Sequence, residues 1–213
     1  MSRRTPYSLL LAAVAAIVFA VPALTGWLEY DRGAVARGEV WRLVSAHWVH
    51  FGVEDFFWDL VAFVALGIAC EKRSRTRFLA CIAVSTIAIS LCVAFAMSGL
   101  TVYRGLSGID SALIALLCAQ LWAEAAEPAD AIWPLVGLAA FMLKSAFELT
   151  TGRTLFVHVL AANAKPLPAA HLVGAVVGFV MGVAGTFQNP TQSVAARPAA
   201  QNAATMAVRT SIV

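Results

Sequence analysis

Long apolar runs separated by short charged or aromatic stretches dominate this chain, with no sustained alternation of polar and apolar positions. Six runs stand out, from Ser8 to Trp27, Phe56 to Cys70, Phe78 to Met97, Gly105 to Ala123, Ile132 to Leu149 and Leu167 to Phe187. A helix needs roughly 20 residues to cross a hydrocarbon core of about 30 Å. The second run is the shortest and starts beside Asp55 and Asp59, so it can cross only if those carboxylates lie at the interface or face protein. Helices are expected throughout, because lipid gives open sheet edges no hydrogen-bond partners. The pattern therefore predicts an all-α polytopic membrane protein, a bundle of six transmembrane helices over residues 1–187. The tail 188–213, with Asn189-Pro190, Arg197-Pro198 and many small residues, reads as a disordered cytoplasmic segment. No internal repeat is visible.

Composition supports the membrane reading: 61% of the 213 residues are hydrophobic, 13% are charged, and mean hydropathy is +0.80. Charge then sets the orientation. Ser2-Arg3-Arg4 and the basic stretch Glu71 to Arg77 belong on the cytoplasmic side, so an even number of spans puts both termini in the cytoplasm. The apolar run after Arg4 exceeds a signal-peptide core and reads as an uncleaved anchor. A net charge of +3 spread over loops points to topology and to no nucleic-acid surface. Cys70, Cys81, Cys92 and Cys118 lie in or beside the runs without metal-type spacing and read as buried apolar residues.

The outer loop from Leu28 to Glu54 is long enough to be partly structured. Trp41, Trp48, Phe51 and Trp58 suit the headgroup zone. His47 and His50 lie three apart, as metal ligands can, but no third ligand accompanies them. A structural role is expected, with no metal and no organic cofactor.

Two residues carry candidate chemistry. Ser107 lies about one turn inside the fourth run, within Gly105-Leu106-Ser107-Gly108, and His171 about one turn inside the sixth. Both runs enter from the outer side, so the two depths match. A serine hydroxyl needs a base to accept its proton, and neutral imidazole suits that near pH 7. Gly174, Gly178 and Gly182 continue the face of His171, while Gly108, Ser111, Ala112 and Ala115 continue from Ser107. Alone, such stripes are packing motifs. With a serine and a histidine at one depth, they predict close approach of a nucleophile and a base.

The chain resembles the rhomboid intramembrane serine proteases from Trp41-Arg42 through His171. The resemblance rests on His50, Glu71-Lys72-Arg73, Gly105-Leu106-Ser107-Gly108 and His171-Leu172-x-Gly174 in the family's order and approximate spacing. It implies a rhomboid-like six-helix fold, a Ser-His dyad without a third acidic member, a cavity open to the outer side, and membrane-anchored protein substrates. Tyr30-Asp31-Arg32, Arg37 to Leu43 and Tyr103 to Asp110 resemble the rhombosortase branch, which implies processing near a C-terminal glycine-glycine anchor.

One departure from the family pattern is plain. Where rhomboids place a His and an Asn that assist the oxyanion, this chain has Asp55 and Asp59. Losing one such donor can cost about 3 to 4 kcal/mol of transition-state stabilisation. Asp59 can act as a protonated donor; it can bond Arg104 or an outer-loop donor and leave the oxyanion to the Ser107 N–H beside Gly105; or the protein can be catalytically dead. Asp110 can support the site or bond to another helix. Lys144 and Glu148, four apart, are expected to pair, and His158 has no evident partner. The leading function is a serine endopeptidase within the lipid bilayer; the competing one is an inactive relative that binds client spans. A transporter would distribute polar residues across the midplane, and here they cluster near one face.

Overall fold

The computed structural model describes residues 5–151 and 167–187. Ser2 to Arg4, His158 and the tail 188–213 lie outside the described residues, as do the expectations placed on them. Among the described residues six longer helices form the scaffold: α1 (Tyr7–Ala20), α5 (Val53–Arg73), α6 (Arg75–Leu91), α7 (Ser107–Glu124), α8 (Pro128–Thr151) and α9 (Pro168–Phe187). Between α1 and α5 run the short helices α2 (Thr25–Leu28), α3 (Arg32–Ala36) and α4 (Arg42–Ser45). The fold is thus all-α, with one short antiparallel pairing of β1 (Tyr30–Asp31) and β2 (Val102–Tyr103), in register Tyr30↔Tyr103.

Helix ends follow local chemistry. The Ser74 hydroxyl accepts from Arg77 N at 3.3 Å to start α6, and Asp31 accepts from Ala34 N at 2.6 Å to start α3. Helix α5 has Glu54 and Asp55 in its first turn and Lys72 and Arg73 in its last, the arrangement that opposes its dipole. The first apolar run is not one helix. It breaks after Ala20 and turns by 93° into the segment Pro22–Leu28, where an uninterrupted span from Ser8 to Trp27 is the expectation from hydropathy. Pro22 is the reason: a residue before proline avoids the α conformation, and Val21 has φ −117° and ψ 85°.

Length and composition alone qualify Arg75–Ala96 and Pro128–Glu148 to cross a membrane, with the bent pair as a third and Pro168–Ala184 as a shorter apolar helix. Helices α5 and α7 instead carry buried polar residues, Asp59 and Glu71 on one, Asp110 and Gln120 on the other. The core between them is aliphatic and aromatic, with Phe63, Phe78, Leu106, Ile109, Leu113 and Leu116 buried. Helices α1 and α5 are clasped at one end by Glu71, which accepts from Tyr7 N and Ser8 N at 2.9 Å each. At the other end Phe19 stacks on Phe56.

The backbones of α7 and α9 come into close contact. A Cβ at Gly174 would overlap the Gly108 carbonyl oxygen, one at Gly178 would overlap that of Ala112, and one at Gly182 would meet the Ala119 methyl. Glycine is required at all three for this separation. In lipid, where no hydrophobic force drives helices together, such contact supplies the attraction.

Candidate active site

Three elements converge on the start of α7. β2 leads into Gly105, whose φ of +115° is strained for any residue with a side chain, and Gly105 N donates to Ala46 O at 3.2 Å. The chain then turns into α7 with Ser107 as its first residue. The first N–H groups of a helix have no acceptor within it, and those of Ser107 and Gly108 are among them.

Ser107 Oγ lies 3.1 Å from His171 Nε2, a hydrogen-bond distance between side chains on α7 and α9. His171 is buried and Ser107 half-buried. Gly108 and Gly174 lie in the seam that sets this distance. A Cβ on Gly108 would stand 2.8 Å from Ile89 Cδ1 and 3.3 Å from Ala170 O, immediately before the histidine.

Asp59 and Asp55 both lie near this turn, each already accepting a backbone hydrogen bond. Asp59 Oδ2 accepts from Leu106 N at 3.1 Å and stands 3.6 Å from His50 Nε2. Asp55 Oδ2 accepts from Phe51 N at 3.0 Å. Arg104 is not the partner of Asp59: its Nε donates to Glu29 at 2.7 Å, and its guanidinium lies 4.8 Å from the Phe51 ring centroid. Asp110 is buried and makes no hydrogen bond among the described residues.

The two outer-loop histidines diverge. His47 Nε2 is 3.0 Å from Ser90 Oγ and its Nδ1 is 3.4 Å from Tyr103 Oη, so it joins the loop to α6 and β2. Burial pushes its imidazole down to about 4, outweighing an opposing contribution from the Thr86 backbone. His50 packs edge-on against Phe56 and faces Asp59. Of the aromatics expected in the headgroup zone, Trp41 in the loop and Trp58 on α5 are exposed, while Trp48 turns edge-on to the core residue Phe63.

Glu148 is what the sequence pattern does not reveal. Its Oε1 takes Lys144 Nζ at 2.7 Å, the pairing expected from their spacing, but its Oε2 stands 3.5 Å from His171 Nδ1. The i,i+4 spacing predicts the first contact; only the packing of α8 beside α9 creates the second.

The arrangement can hold a hydroxyl beside a base in an apolar bundle, at the start of a helix. The Rhomboid domain family matches residues 37–186. Rhomboid protease GlpG of Enterobacter sp. (strain 638) is 30% identical over 190 residues, which cover 86% of this chain and 64% of that protein. The chain therefore spans less than two thirds of that relative's length.

Proposed function

Because the chain belongs to the rhomboid family, we propose that it is an intramembrane serine endopeptidase that cleaves membrane-anchored proteins near the outer face of the bilayer. The observation that carries this reading is the 3.1 Å separation of Ser107 Oγ and His171 Nε2 inside an apolar helical protein. A nucleophile and base kept together at such a place have a cost that packing alone does not require.

In this mechanism Ser107 Oγ attacks the scissile carbonyl carbon while His171 Nε2 takes the hydroxyl proton. The oxyanion lies against the backbone N–H groups at the start of α7, with Gly105 leaving room beside them. The tetrahedral intermediate collapses, the C–N bond breaks, and His171 returns the proton to the leaving amine. Water then attacks the acyl-enzyme with His171 again as base, releasing the acid and restoring Ser107. Six helices crossing the bilayer, with both termini cytoplasmic, bring the dyad to the outer side. Membership of the rhombosortase branch, supported by Tyr30-Asp31-Arg32 and Tyr103 to Asp110, makes a glycine-glycine segment before a C-terminal anchor the substrate class.

A second reading, a non-catalytic binder of client spans, is favoured by Asp55 and Asp59 beside the proposed oxyanion position. Fluorophosphonate labelling of the purified protein separates the two. Labelling of wild type that disappears in both Ser107→Ala and His171→Ala is the expected result; a folded wild type that does not label supports the binder.

A further inference from the structure

Helix α8 turns Trp133, Leu143 and Val136 outward, yet it buries Ser145 and Glu148. A carboxylate in that position must be compensated by charge or hydrogen bonding, and a simple lysine pair does not need to be buried at all. The Glu148 side chain is only 2% exposed against 27% for that of Lys144, so the pair is turned toward the protein. His171 lies on that side, its Nδ1 facing Glu148 Oε2 at 3.5 Å while its Nε2 faces Ser107 at 3.1 Å.

A base must offer the serine a lone pair on Nε2, which for neutral imidazole requires the proton to be on Nδ1. The group facing Nδ1 decides that tautomer. An ionised carboxylate can only accept, and so selects it. We propose that Glu148, with its charge balanced by Lys144, is a positioning residue that holds His171 in the Nδ1-protonated tautomer and stabilises the imidazolium formed when Ser107 gives up its proton. The inference rests on reading Ser107 and His171 as nucleophile and base, and it replaces a two-residue dyad with a chain Lys144–Glu148–His171–Ser107. A 3.5 Å separation is long for a hydrogen bond, and contacts of this kind tighten when substrate closes a site.

Histidine-selective ¹⁵N NMR in detergent, alongside the rate of fluorophosphonate labelling, tests the proposal. His171 is assigned by the resonance that His171→Ala removes. Wild type is expected to have its His171 proton on Nδ1. In Glu148→Leu the tautomer preference should be lost and labelling slowed about tenfold or more. Glu148→Gln keeps an acceptor but not the charge, so the tautomer should persist while labelling slows; that split is not produced by a merely structural residue, and it carries the test if the Leu variant fails to fold. A His171 protonated on Nε2 in wild type, or a folded Gln variant labelling at the wild-type rate, overturns the proposal. Absence of labelling in wild type with the tautomer as expected instead defeats the endopeptidase reading and leaves the Glu148 contact standing.

Discussion

Asp59 is bound to the segment it supports: its carboxylate accepts the Leu106 N–H at 3.1 Å, one residue before the proposed nucleophile. An asparagine there can keep that bond through its carbonyl oxygen while removing a negative charge from the side of Gly105 on which the oxyanion would form. Asp59→Asn is therefore expected to fold normally and to label with fluorophosphonate faster, by about threefold to tenfold. A folded variant with an unchanged or lower rate would show that the carboxylate is no hindrance. Ser107 and His171 were legible as a pair because each lies one turn inside an apolar run, where a polar side chain has few innocent uses. Their neighbours were less so. Arg104 was open to pairing with Asp59 and instead reaches Glu29, 75 positions earlier, because β1 and β2 align those two segments. The reach of Glu148 to His171 depends on how α8 is rotated, and a helix with large apolar residues on so much of its surface does not encode its own rotation.

At the scale of elements, the α7–α9 seam is the part of the fold that sequence states most directly. Gly174, Gly178 and Gly182 mark it, and the backbone contact follows from having no side chain there. Gly178→Val should force the helices apart, destabilising the protein by about 3 kcal/mol or more and abolishing labelling although it touches neither proposed catalytic atom. Thermal unfolding in detergent measures the first effect. Gly26→Ala, at a position where an added Cβ has nothing within 4 Å, is the matched control and should leave both readouts unchanged. A Gly178→Val protein as stable and reactive as the control would mean the seam is looser than described. The break after Ala20 was also signalled, by Pro22, but hydropathy averaged over a window conceals it. The π-helical turn Cys92–Ala96 has no such local cue. Two of its carbonyls, Val93 O and Ala94 O, are gathered together with Met97 O and Leu100 O just beyond it by Arg32, which donates to all four from a distant part of the chain.

The whole molecule has a built-in dependence on acid through His47, which joins the loop before α5 to α6 and β2. Burial holds its folded-state value at about 4, against 6.5 for an ordinary imidazole. The unfolded chain therefore takes up the proton first. The neutral imidazole's contribution is complete above pH 6.5 and is withdrawn as pH falls toward 4, by about 3 kcal/mol in all. Unfolding midpoints measured from pH 7.5 down to 4.5 should fall more steeply for wild type than for His47→Gln, whose side chain does not titrate. Equal slopes would remove His47 as the cause. Finally, the proposed nucleophile and base are on separate helices, 64 positions apart in the chain. At about 5 to 20 residues per second of synthesis, the ribosome adds the histidine several seconds after the serine. On the proposed mechanism, until α9 has been made and docked the nascent protein would hold a hydroxyl with nothing to activate it, and a product interrupted before that point would be inert toward membrane-anchored proteins.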